Sequence, residues 1–202
     1  MTTASPRLLV QLLAAVGAVF VWSGIAPHDY FTWFLEVAPV LIAMPILAFT
    51  WKRFPLTRTV YVLIAIHMII LMVGGHYTYA KVPLFDRIRD MTGGVRNSYD
   101  GVGHFAQGFI PALVTREILL RTTGLRRGWM LAYLVLMVCV GMSALYELIE
   151  WGTAYATGEA ANDFLGSQGD PWDTQKDMGL CLLGAMISLA IFSRRHDREI
   201  SS

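Results

Sequence analysis

The chain has 202 residues, of which 55% are hydrophobic and only 15% charged, against about a quarter charged in a soluble domain; that places it in the membrane class. A formal net charge of +1, carried by small basic groups beside apolar runs, excludes the broad basic face by which proteins hold nucleic acid. Cys139 and Cys181 both fall inside apolar stretches with no second thiol nearby, so they read as core filling rather than as a CxxC site or a disulfide framework.

Six apolar segments follow one another. The first, 7–25, also resembles a secretory signal peptide, but Pro27 lies just after Gly24 and Ala26, the residues that would suit cleavage, and the segment is expected to stay as an uncleaved span. The second, 31–51, contains Pro39 and Pro45, which membrane helices tolerate when neighbouring groups satisfy the freed carbonyls. Lys52, Arg53 and Arg58 close it. The third, 58–76, holds His67 near its middle, expected as a neutral imidazole hydrogen-bonded between helices, and ends in Gly74-Gly75-His76. A polar connection, 77–100, carries four basic and three acidic residues with a turn at Gly93-Gly94.

The fourth segment, 102–120, is the least apolar. It holds His104, Gln107, Pro111 and Arg116, so it is expected to face protein or a polar cavity rather than lipid. The fifth, 129–151, is apolar until its last turns, where Glu147 and Glu150 appear among aromatics of the kind found at a membrane interface. The sixth, 177–192, is short for the ~20 residues that cross a bilayer unless its helix begins at Asp173. These segments predict an all-α polytopic membrane helix bundle: a single integral membrane domain, 1–202, with six transmembrane helices. Dense basic groups follow spans two, four and six, and almost none follow one and five, so the N and C termini are expected to be cytoplasmic. The basic residues after span three run against that alternation, although acidic residues accompany them.

With that orientation His76, Asp100, His104, Glu147, Glu150, Asp173 and Asp177 come to one depth, at the extracytoplasmic ends of spans three to six. On a helix Asp100, His104 and Gln107 share one face, Glu147 and Glu150 share another, and so do Asp173 and Asp177. Carboxylates crowded around imidazole in a low-dielectric setting cannot all stay ionised without a cation or shared protons. Imidazole with carboxylate suits zinc, manganese or iron, and an all-oxygen subset suits magnesium or calcium. No HExxH, GxSxG or P-loop sequence occurs, which closes the familiar routes to a zinc peptidase, serine hydrolase or nucleotide enzyme. The bland reading, in which Asp100 is a cap and the clusters tie helix ends together, stays open. Gly108 with Ala112, and Gly184 with Ser188, are small-residue pairs that let helices approach.

The chain resembles the YjdF family of bacterial inner-membrane proteins, a family without an established activity. The resemblance rests on His76-Tyr77-Thr78-Tyr79, Asn97-Ser98-Tyr99-Asp100, Gly103-His104-Phe105-Ala106-Gln107-Gly108, the run from Glu147 to Trp151, Phe164-Leu165-Gly166, Gln168-Gly169-Asp170, Trp172-Asp173-Thr174-Gln175 and Asp177-Met178. Gly101 departs from the family pattern, which has a basic residue after the aspartate. More loosely, Asp100 with His104, then Tyr146-Glu147, then Asp177 with Gly184 is similar to the VanZ-like membrane proteins, some of them linked to glycopeptide resistance, and implies a role at the cell envelope.

The expectation is therefore an inner-membrane protein with an outward His/carboxylate pocket, acting as a metal-dependent hydrolase or transferase on a lipid or lipid-linked envelope substrate. His104, Glu150, Asp173 and Asp177 would ligate a divalent metal ion, Asp100 or Glu147 would be the general base, and Arg96 would steady an anionic group. His76, Tyr79, Gln107, Gln168, Asp170 and Gln175 are expected to join Arg96 in ligand binding. Two alternatives remain: a non-catalytic binder or transporter of a cation or amine, motivated by His67, Arg116 and Glu117 along the bundle, and a purely structural role for the clusters.

Overall fold

The computed structural model describes residues 1–157 and 168–201. Among them are seven helices, α1 (Pro6–Ser23), α2 (Tyr30–Thr50), α3 (Arg58–Tyr77), α4 (Pro83–Thr92), α5 (Tyr99–Thr122), α6 (Trp129–Thr157) and α7 (Asp173–Ser201), and no strand. Local signals set their ends. Ser5 caps α1 by accepting from the Leu8 N–H at 3.3 Å, and Pro6 takes the first helical position, where its missing N–H costs nothing. Asp29 caps α2, its Oδ1 2.7 Å from the Thr32 N–H, and that backbone donor holds the Asp29 carboxyl below its ordinary pKa.

The polar connection after span three is not all loop. Pro83 at the first turn, Asp86 near the start, Arg89 near the end and a left-handed Gly93 after Thr92 make α4 a short capped helix. The last helix does begin at Asp173 and runs to Ser201, beyond the end expected at 192. Its polar last turns hold helical geometry through tertiary bonds, such as Thr59 Oγ1 donating to Glu199 Oε1 at 2.6 Å.

Five helices, α1, α2, α3, α6 and α7, are long and apolar enough to cross a membrane. Their outer faces carry large apolar side chains in the open, among them Val10, Ile42, Phe49, Leu145 and Leu148, as lipid-facing surfaces do. α5 is different. It is 24 residues long but buries Asp100, His104, Arg116 and Glu117, and it packs on α3, α6 and, most extensively, α7. It therefore faces protein, as its composition required.

The α5–α7 contact is close because glycine lines it. A Cβ on Gly108 would lie 1.7 Å from the carbonyl oxygen of Cys181, and one on Gly184 would lie 2.2 Å from that of Phe105. The remaining packing is α1 and α2 on α3, and α6 on α5 and α7. Thr2 N–H donates to the Glu199 carbonyl at 2.7 Å and Thr3 pairs with Thr57 in an isolated bridge. The first residues of the chain and the last turns of α7 thus lie side by side.

Candidate functional site

At the other end of the bundle, the first turns of α5 and α7 and the last apolar turns of α6 bring acids and an imidazole together. Asp100, His104 and Asp177 are all buried, and each offers a ligand atom within 4.8 Å of the others. His104 Nε2 lies 3.5 Å from Asp100 Oδ1 and 3.6 Å from Glu147 Oε1. Its Nδ1 lies 3.1 Å from Gln107 Oε1. An amide oxygen can only accept, so this contact puts a proton on Nδ1, and the neutral ring then presents its Nε2 lone pair to the carboxylates. Glu147 Oε1 is buried without a hydrogen-bond partner among the described residues.

Neighbouring residues of the expected set are held by one another. Arg96 Nη1 bonds Asp173 Oδ1 at 2.5 Å and Asp170 Oδ2 at 3.2 Å, and its Nη2 is 3.8 Å from Asp100. Burial works against the Arg96 charge, but the Asp173 hydrogen bond and the surrounding carboxylates outweigh it, and its pKa is raised. Asp173 is thereby engaged by arginine, whereas Asp177, one turn on, joins His104. Asp170 also accepts from Lys176 and from the Trp172 N–H. The Lys176 bond and then the Trp172 bond hold its carboxyl below its ordinary pKa. Gln168 makes a two-way bond with the backbone of Asn97, accepting from its N–H and donating to its carbonyl, both at 2.9 Å.

His76 sits apart, its Nδ1 3.0 Å from the Ser23 carbonyl and its ring tilted against that of Trp22, centroids 4.4 Å apart. Gln175 is exposed. The Phe164-Leu165-Gly166 run lies outside the described residues. Ser98, not Asp100, holds the cap position of α5, and Asp100 is a first-turn acid.

Beside the triad is a cavity of about 290 Å³ whose walls include Glu36, His67, Tyr79, Asp100, His104, Gln107, Tyr146 and Glu150. The ring of Tyr79 reaches it by folding back between two glycines: a Cβ would lie 2.2 Å from the ring at Gly74 and 2.7 Å at Gly103. Tyr146 donates from its hydroxyl to Glu36 Oε2 at 3.0 Å. His67, expected to be hydrogen-bonded between helices, instead leaves its Nε2 without a partner among the described residues, and the cavity adjoins it.

The comparisons with known proteins place the chain among membrane proteins. The family model described as "Predicted membrane protein (DUF2238)" matches residues 8–198. The chain belongs to that family. It is 48% identical over 198 residues to the "Inner membrane protein YjdF" of Escherichia coli (strain K12), covering 98% of this chain and 95% of that protein. No solved structure matches.

In this DUF2238 protein the residue that sequence reasoning passed over is Glu36. It is 5% exposed and is the one acidic side chain within 31–51. A lone carboxyl in an apolar span is itself a signal of function, but it has no polar neighbour in sequence to draw attention to it. At the opposite end, Arg116 and Glu117 are locked rather than open. Glu117 accepts from Thr57 N and Oγ1, Arg121 and His196 at 2.7–3.1 Å, and Arg116 bonds Asp197 at 2.7 Å.

Proposed function

We propose that this integral membrane protein is a divalent-metal site built into a six-span bundle of the inner membrane, one domain over 1–202, with cytoplasmic termini and the site on the extracytoplasmic side. Hydrolysis or group transfer on a lipid or lipid-linked envelope substrate is the activity that suits it. The observation that carries the reading is the Asp100–His104–Asp177 triad, in which Gln107 fixes the tautomer that leaves Nε2 free to coordinate. An imidazole with carboxylates fits zinc, manganese or iron, and such an ion would supply Lewis acidity beside the cavity.

Within that arrangement each neighbour has a task. Glu147, with an oxygen free of hydrogen bonds 3.6 Å from His104 Nε2, is the group placed to take or return a proton. Arg96 neutralises the outer carboxylates and keeps Asp173 out of the ligand set. Glu150 and Glu36 face the cavity, where a substrate would lie. A transport path through the bundle is disfavoured by the closed Glu117–His196–Arg121 network at its other end.

Metal analysis of the detergent-purified chain tests the reading. About one zinc, manganese or iron ion per chain is expected, lost in His104→Ala and Asp177→Asn while both variants keep a cooperative melt. Protein that takes up none of these ions, and whose melting temperature none of them raises, overturns it.

A further inference from the structure

The cavity is lined from α3 and α5, through His67, Leu71, Gly103 and Gln107, from α2, through Glu36 and Pro39, and from α6, through Met142, Leu145, Tyr146, Ile149 and Glu150. α2 packs on α3 and α6 packs on α5 and α7, but α2 and α6 make no extensive contact with each other; the Tyr146–Glu36 hydrogen bond spans the gap. Leu145 and Ile149, on the α6 side of the gap, are 62% and 56% exposed. On a membrane helix such residues meet acyl chains, so the α6 rim of the cavity faces lipid.

The lining is mostly apolar, and its ionisable groups are carboxyls and the imidazoles of His67 and His104. Glu36, Asp100 and Glu150 contribute carboxyls, and no Lys or Arg is among the lining residues. Glu150 is 7% exposed and Tyr79 5%. Neither the Glu150 carboxyl nor the Tyr79 hydroxyl has a hydrogen bond or ion pair among the described residues. Two polar side chains more than nine-tenths buried, without a hydrogen bond or ion pair among the described residues and in the wall of one cavity, are placed to meet a ligand there.

We propose that the cleft between α2 and α6 admits, from the bilayer, a lipid whose head carries a protonated primary amine, bound by Glu36 and Glu150 with Tyr79 and Tyr146. An alkylammonium has three N–H donors. Two carboxylates and a phenol oxygen satisfy them, while the tyrosine rings add cation–π attraction. The charge leaves water into a pocket of opposite sign, the condition under which burying an ion is tolerable. A purely anionic head is repelled by the same carboxyls, and a quaternary ammonium offers no N–H to them. The apolar rim supplies the path for the acyl chains that a soluble amine lacks. This extends the proposed function by naming the substrate class, because Asp100 and His104 close the inner wall of the same cavity and bring the head beside the metal triad.

The test is native mass spectrometry of the full chain, released from micelles holding equal amounts of phosphatidylethanolamine, phosphatidylglycerol and phosphatidylcholine, with and without EDTA. Phosphatidylethanolamine adducts are expected to exceed each of the others by at least about fivefold. The excess should survive EDTA and fall to about parity in the Glu36→Gln/Glu150→Gln double variant, whose fold is checked by its melting temperature. Equal adducts of the three lipids on the unsubstituted chain overturn the inference without needing any variant. So does a preference that persists in the double variant, or one that free ethanolamine abolishes as readily as lysophosphatidylethanolamine does. Metal read in the same spectra keeps the two proposals apart: failure of the triad to bind zinc, manganese or iron leaves the lipid preference intact, and loss of the preference leaves metal binding intact.

Discussion

Gln107 decides what His104 can do. Without an acceptor on Nδ1 the imidazole could place its proton on Nε2 and donate to Asp100 or Glu147, which would leave no lone pair facing the triad. Removing the amide in Gln107→Leu is expected to weaken divalent-ion binding by about 10–100-fold, the usual effect of losing an orienting partner, whereas Gln107→Glu, which keeps an acceptor, should retain it. Calorimetric titration of the purified variants with zinc or manganese reads the difference, and an unchanged affinity in Gln107→Leu would mean that Gln107 does not set the tautomer. At this scale much of the site was legible. The i, i+4, i+7 spacing of Asp100, His104 and Gln107 placed them on one helix face, and the structure joins His104 to both. That Arg96 engages Asp173 while Asp177 groups with His104 was not legible, because both acids lie on one face of α7 and Arg96 lies on another segment. Glu36 escaped for the converse reason: its partner Tyr146 is 110 residues away.

The element that organises the rest is α5, and its hold on α7 depends on two glycines. Each meets the backbone of the other helix, which cannot rotate away as a side chain can. Gly108→Ala would set a methyl 1.7 Å from the Cys181 carbonyl oxygen, so the helices must separate. A loss of about 1–3 kcal/mol or more is expected from such overpacking, seen as a lower melting temperature together with weaker metal binding, since Asp177 moves with α7. Gly141→Ala, where nothing lies within 4 Å of the added carbon, is the control and should change neither. The small-residue spacing at Gly108 and Gly184 signalled this approach from sequence, although the partners of each glycine could not be read there. α4 carried its own signals, a Pro at its start and a Gly after its end, but ten residues with mixed charges inside a polar stretch passed for a connection. α5 was recognisable as a protein-facing helix because a segment burying His104, Arg116 and Glu117 has no stable place against acyl chains.

For the whole molecule the question is how many times the chain crosses and which way it points. Thr2 bonds the carbonyl of Glu199, so both ends of the chain lie at one end of the bundle, and a chain whose ends share a side crosses an even number of times. Five helices qualify by hydropathy, and α4, at ten residues, is too short to span. Parity therefore points to α5 as the sixth, shielded from lipid by α3, α6 and α7. The end that holds the termini also holds Arg58, Arg121, Arg127 and Arg195, several of them tied to Glu117, Asp197 and Glu199, and basic residues concentrate on the cytoplasmic side. In the proposed orientation the triad and the cavity face outward. Gln175→Cys and Arg198→Cys, both at exposed positions, separate the alternatives, because the native Cys139 and Cys181 are fully buried and should stay silent. A membrane-impermeant maleimide added to intact spheroplasts is expected to label the cysteine at 175 and to reach the one at 198 only after the membrane is broken. Labelling at 198 alone would invert the protein and place the site in the cytoplasm, and equal labelling of both in intact spheroplasts would break the parity argument by putting the two ends of α7 on the same side.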